Sequence, residues 1–438
     1  MNKFEKFFYD ILKHNPRLKL FIRDKYQGLF DLLPRPRPLS AFEITAREGF
    51  FFGFHDHTPF SADNRKILAH RYNIPLRMPK PGEEVEIGFF DGDNFNEFHP
   101  IAYSRAWSWH LGSKLQWRGS SDQVVFNDHV NGKNISRVMD IATGEESQMP
   151  GPVGSVSLDG RWAVGYSFSR VENCMPGYGY PYQVDDPEEN SSMPEGHGIH
   201  RIDLDSGERQ DLFSISDIAR IEPTANMKEA RHFFSHAVFS PDSRRIIFLH
   251  RWIQGGIYKR HSRMVSSDIN GENLYIFPTS GMVSHIGWRD PEHVIAYCSI
   301  PGQGDQYILF RDQVPDDLRV IGPGFFNSDG HPSFDPTGRW IVTDTYPDRS
   351  RVQSLLIFDT RDEKGYNIAK LPTPGKFQSG NPFEHWSCDL HPRWDRKGRY
   401  ICFDSTYTGT RSLCTLDLGE DLGNNEVRHI SHKRVEIE

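Results

Sequence analysis

One short pattern recurs down this chain and limits what it can fold into. A lead residue is followed three positions later by an aromatic, then by a tight turn and a short apolar run. The late copies are Ser235-His236-Ala237-Val238-Phe239, Ser284-His285-Ile286-Gly287-Trp288, Gly330-His331-Pro332-Ser333-Phe334 and Leu390-His391-Pro392-Arg393-Trp394. The runs that follow begin at Arg245, His293, Trp340 and Tyr400. Earlier copies are centred on Phe60, Trp117 and Val156, which makes seven, with lead residues His57, Lys114, Val153, His236, His285, His331 and His391. A repeating unit of strand, turn and strand, with Asp/Asn/Gly turns between outer strands, predicts an all-β, seven-bladed β-propeller. In such a ring the first strands converge on one axis, so the lead side chains are expected to face one another.

Composition enters where it excludes something. The net charge is -8, which argues against a nucleic-acid partner, since affinity there rests on neutralising phosphates. Five cysteines without a pairing pattern fit a reducing compartment, and neither a 20-residue apolar span nor a signal-like leader is expected, so the reading is cytoplasmic. Residues 1–38 differ from the rest. They carry nine Lys/Arg against four Asp/Glu, and Phe4, Phe7, Phe8, Ile11, Leu12, Leu18, Phe21, Ile22, Leu29 and Phe30 recur at helical spacing. The expectation is a basic amphipathic helical appendage over 1–38, broken near Pro16, ahead of a propeller over 39–438. Two readings of the appendage stand: a helix packed on the ring, or a peripheral contact with an anionic membrane surface.

Two clusters could carry chemistry. His285, His331 and His391 lead consecutive blades, and Cys388 lies just before His391; three imidazoles and a thiolate suit a divalent metal, with zinc the expected ion and manganese the alternative. Asp389 is placed to orient a ligand imidazole. Without an ion, the same histidines would hydrogen-bond across the channel. The second cluster gathers His236, His250, Arg251 and Arg263 from the fourth blade and Arg170, Tyr178 and Tyr180 from a long insertion reaching about residue 198. Asp56, His57 and Asn127 join it from the first two blades. Imidazoles and a phenol can move protons, and guanidinium groups can hold an anion. That set matches elimination across a uronic acid, in which a carboxylate is neutralised, a proton removed and a leaving oxygen protonated. A glycoside hydrolase would need two facing carboxylates, for which Asp56 and Asp128 are the candidates.

Several of these stretches together resemble the oligogalacturonate-lyase-like propeller family and, more distantly, ulvan lyases. They are Phe52-Gly53-Phe54-His55-Asp56, Val124-Val125-Phe126-Asn127-Asp128, Pro176-Gly177-Tyr178-Gly179-Tyr180, Phe248-Leu249-His250-Arg251-Trp252, Gly330-His331-Pro332-Ser333 and Cys388-Asp389-Leu390-His391. The resemblance spans roughly residues 50–420. It implies a carbon–oxygen lyase acting on an acidic oligosaccharide or polysaccharide in the central channel. His285, His331, Cys388 and His391 would be metal ligands, and His236, His250, Tyr178 and Arg263 the catalytic groups. Asp56, His57, Asn127, Arg170, Tyr180 and Arg251 would contact substrate. A non-catalytic propeller that scaffolds surface-polysaccharide assembly is the reading from another class.

Overall fold

The structure is a computed structural model, and it describes residues 18, 21, 22, 25–28, 36–182, 186, 188–256, 259–379, 381 and 383–419. Seven antiparallel sheets follow one another along the chain and form a seven-bladed β-propeller. The fourth blade shows the plan: Arg231–Phe239 innermost, then Arg245–Ile253, Arg260–Asp268 and a short outer strand Tyr275–Ile276.

The repeated motif builds each blade by local chemistry. After the aromatic, a Ser or Asp closes the first hairpin. Ser240 Oγ donates to Asp242 (2.6 Å) and accepts from Arg245 N (3.0 Å), while Asp335 and Asp395 accept from Arg339 N and Arg399 N. The indoles in the motif then staple neighbouring blades. Trp117 Nε1 donates to Pro59 O at 2.8 Å, and Trp394 Nε1 to Ser333 O at 3.1 Å. Each is buried, so the ring gains apolar area and a satisfied N–H at once.

Closure comes from the segment after residue 38. Leu39–Ser40 adds a fifth strand to the sixth blade by pairing with Ala369 and Lys370. Ile44–Glu48 then supplies the outer strand of the seventh blade, in register from Ile44 opposite Leu416 to Glu48 opposite Ser412. Ten residues thus supply the outermost strand of each of two neighbouring blades and stitch them together.

Residues 18, 21, 22 and 25–28 are helical. The expected helices over 3–33 otherwise lie outside the described residues. Among the described residues no helix is long and apolar enough to cross a membrane.

The third blade carries the long insertion. It opens with helix Phe168–Cys174, capped by Ser167, and returns to the sheet at Gly198.

Candidate functional site

The lead imidazoles do converge. Ring centroids of His285 and His331 are 4.1 Å apart, and those of His331 and His391 4.3 Å. Backbone irregularity aims them. The register slips between Ser235 and Val238 and again between Val283 and Ile286, so one bulge lifts His236 and another lifts His285 off the regular pleat. Lys114, His236 and His391 all hold left-handed φ, at 55°, 57° and 45°. That conformation is costly for non-glycine residues and persists where packing enforces it.

The centre of this ring is filled. Between Phe51 and Phe60 the first blade leaves its sheet and pushes Phe54 and His55 into the axis. Phe54 lies 4.8 Å from His236, 5.1 Å from His391 and 6.1 Å from both His285 and His331. His55 lies 5.3 Å from His331. Asp404 holds the excursion by accepting from Phe52 N and Gly53 N. Gly53 is required: its φ is +115°, and a Cβ there would meet Leu111 C at 2.8 Å.

Around the plug stand groups suited to proton transfer. Asp329 accepts from His285 Nδ1 (3.1 Å) and from Ser284 Oγ (2.6 Å). This fixes the tautomer and leaves Nε2 of His285 with a lone pair. Asp344 binds His331 Nδ1 at 2.8 Å and accepts from His391 N at 3.2 Å, joining two blades. Burial pushes Asp344 up to about 6; burial, together with the nearby charge of Asp344, pushes Asp389 up to about 7. Tyr178 stacks on His110 with centroids 4.5 Å apart, and burial raises its phenol above the usual tyrosine range. Arg251 is tied to Ser235 Oγ (2.9 Å) and Ser284 O (3.2 Å); burial and then Arg260 bring it down to about 9, which still leaves it cationic at neutral pH.

Helix Phe168–Cys174 sets Tyr178 in place through Glu172. Its Oε2 accepts from Gly177 N (2.9 Å) and Gly179 N (3.1 Å), bracketing the tyrosine. Burial pushes Glu172 up to about 7. Glu172→Ala is expected to orphan both N–H groups and cost about 1–3 kcal/mol, whereas Glu172→Gln, which keeps one acceptor, recovers most of it. Denaturant unfolding of the two variants checks this; equal losses would mean that the acceptor is irrelevant.

The expected metal set changes. Among the described residues, the axial group whose ligand atoms all lie within 4.8 Å of one another is His110, Asp389 and His391. Cys388 is outside it: its Sγ sits 3.7 Å from Asp389 O, and burial pushes the thiol up to about 12. His285 and His331 are on the axis but spend Nδ1 on carboxylates. His110 is the group that sequence reasoning passed over. It precedes the lead residue Lys114 by four and reaches the axis by a loop excursion between Ser108 and Gly112.

The second cluster divides. His236, Tyr178 and Arg251 are axial, whereas His250 and Arg263 belong to a separate buried hydrogen-bonded chain. Arg263 Nε donates to His250 Nδ1 (3.1 Å), so His250 donates through Nε2 to His232 Nδ1 (2.9 Å), and His232 Nε2 donates to Met227 O (3.1 Å). Arg263 also donates to Ile218 O at 2.7 Å. This buried chain pins residues 218–227 onto the fourth blade.

Asn127 and Tyr180 are likewise structural. Asn127 exchanges hydrogen bonds with Val153 and donates to Tyr180 Oη (2.8 Å), bridging two blades. Arg170 is 1% exposed; it pairs with Asp186 (3.2 Å) and donates to His232 O, anchoring the insertion. Asp56 pairs with Lys114 Nζ at 2.5 Å and His57 Nδ1 at 2.8 Å. Burial opposes its charge, but Lys114 and His57 outweigh that and hold the carboxyl well below its usual range. Asp56 and His57 thus form an internal ion cluster with Lys114. Asp128 is bound by Arg137 (2.7 Å) and by Arg105 N, so the carboxylate pair a hydrolase needs is already engaged.

No family model matches the chain, and no curated protein matches it. Among solved structures it is similar to an oligogalacturonate lyase from Vibrio parahaemolyticus. The TM-score is 0.56 at 12% identity, covering 88% of this chain and 99% of that one. It is also similar to an acylaminoacyl peptidase from Pyrococcus horikoshii (TM-score 0.49, 10% identity, 87% and 54% covered) and a xyloglucanase from Xanthomonas campestris (0.47, 15%, 87% and 55%). The first likeness establishes a shared propeller fold, and the two weaker ones carry no further argument.

Proposed function

We propose that the axial cluster of side chains eliminates across the C4–C5 bond of a uronic acid in an acidic oligosaccharide. The observation that carries this reading is the convergence of an oriented imidazole, a protonated phenol and a guanidinium on one axis. Arg251 neutralises the sugar carboxylate, which acidifies the proton at C5. His285, oriented by Asp329, accepts that proton at Nε2. The C5–H electron pair becomes the new C4–C5 double bond as the C4–O bond breaks, and Tyr178 Oη protonates the departing oxygen. The similarity in fold to an oligogalacturonate lyase supports the choice of substrate class.

The residues also suit a divalent ion. Both nitrogens of His110 and Nε2 of His391 are buried and lack hydrogen-bond partners. With Asp389 they offer two imidazoles and a carboxylate, a set that zinc or manganese accepts. An ion there would supply positive charge to polarise the sugar carboxylate.

Absorbance of the unsaturated product, followed with several uronate oligomers on metal-loaded protein, tests the reading. Tyr178→Phe and His285→Ala are each expected to lower the rate by about 10²–10⁴-fold. No absorbing product with any oligomer, from a folded and loaded sample, would sink it. The plugged centre favours a second reading, a non-catalytic scaffold. In that case the same substitutions leave cellular function intact while binding of the oligosaccharide or a partner persists.

A further inference from the structure

The helix before the propeller is attached the wrong way round for an ordinary packed helix. Gln27 is 3% exposed; its Nε2 donates to Asp348 O at 2.9 Å, and Arg351 Nη1 donates to its Oε1 at 3.3 Å. The contact falls on the loop of the sixth blade between Trp340–Asp344 and Val352–Asp359. At about 100° per residue, Leu18, Phe21, Ile22 and Lys25 share one face and Gln27 lies opposite. That apolar face points outward: Phe21 is 61% exposed, Ile22 40% and Leu18 43%. A helix laid on a protein core normally buries this stripe and leaves its polar side to water.

Charge says what covers the face. Residues 1–38 hold nine Lys/Arg and four Asp/Glu, a net of +5, while the remainder carries -13. Lys25 Nζ lies over the Phe21 ring, 5.7 Å from its centroid, so a cation sits directly on the apolar face. An apolar stripe with an ammonium beside its aromatic, in a segment of net positive charge, matches the boundary between acyl chains and anionic headgroups. A symmetric pairing with a second copy would instead press two +5 segments together.

We infer that this helix is an interfacial anchor that seats the propeller on an anionic membrane surface through Phe21 and Ile22, with Gln27 fastening it to the sixth blade. The acidic body would then stand away from the lipid, held by the helix alone. This does not depend on the elimination reading and leaves the axial chemistry untouched.

Sedimentation of the full chain with vesicles tests it, using phosphatidylcholine alone and phosphatidylcholine mixed with phosphatidylglycerol. Binding is expected to the mixed vesicles only, to weaken as salt is raised, and to fall about tenfold or more in Phe21→Asp/Ile22→Asp. Both side chains are exposed, so the unfolding midpoint of that variant should match the parent. Equal binding by parent and variant, or no binding by the parent, overturns the inference. So does a dimer in light scattering that dissolves in the variant, because a second copy would then be the occupant.

Discussion

Lys114→Met is expected to destabilise the chain by about 3–5 kcal/mol, because it strands a charge rather than a contact. Lys114 is 1% exposed, and its ammonium lies 2.5 Å from Asp56, whose side chain is 4% exposed. Removing the cation leaves a carboxylate that cannot reach water and must either stay charged at high cost or take up a proton. The loss should therefore be partly recovered by Asp56→Asn in the same chain, which removes the charge itself. Urea midpoints of the parent, both single variants and the pair give the coupling directly. If Lys114→Met stays within about 1 kcal/mol of the parent, the pair is not the buried ion cluster described above. The change falls at the left-handed lead position of the second blade, and an unbranched methionine keeps most of the side chain there while deleting the ammonium.

Mild acid is the second large effect. Burial brings His70 and His200 down to about 3, and holds His55, His110, His236, His250, His331 and His391 well below the ordinary imidazole range. A group whose pKa is depressed in the folded chain binds more protons when unfolded, so stability rises with pH and is lost as pH falls below about 6.5. For His70 or His200 the loss reaches about 2 kcal/mol each by pH 5. Glu172 and Asp389 (about 7) and Asp344 (about 6) have the opposite sign: they are raised, so their stability is complete in acid and is lost as pH rises through those values. Burial raises Asp395 and Asp404 too, and the eight depressed imidazoles outweigh these five carboxyls.

The geometry agrees with the neutral forms. Ser113 N donates to His70 Nε2 at 3.0 Å, which requires a lone pair there. In the chain from Arg263 through His250 and His232 to Met227 O, an added proton would set two N–H groups facing each other. Unfolding midpoints between pH 7.5 and 5 should drop steeply, and His70→Gln should remove about 2 kcal/mol of that drop. A flat profile would mean that these imidazoles are protonated in the folded chain.

Much of the fold was legible because its determinants are local. The hairpin between first and second strands is written in Ser240–Asp242, Asp335 and Asp395, each closing its own turn. The aromatic three places after six of the seven lead residues reports the blade-to-blade contact. The site was only half legible. His285, His331 and His391 could be placed on the axis from their lead positions. His250 and Arg263 could not be placed off it, because their partners, Ile218 and Met227, lie in two short helices, Ile215–Ala219 and Ala225–Met227, outside the repeated strand pattern. Asn127 and Tyr180 bond each other across 53 residues.

From the residues alone came the seven units, their order round the ring and the convergence of the lead imidazoles, since a period of strand and turn is fixed by neighbours in sequence. The tertiary structure alone decided what occupies the centre. Phe54 and His55 enter it, and His110 joins Asp389 and His391, through loop excursions whose course is set by contacts between distant blades: Asp404 holding Gly53, and Leu111 leaving no room for a side chain there. Such departures from the sheet depend on what the other blades leave open, and no local pattern encodes that.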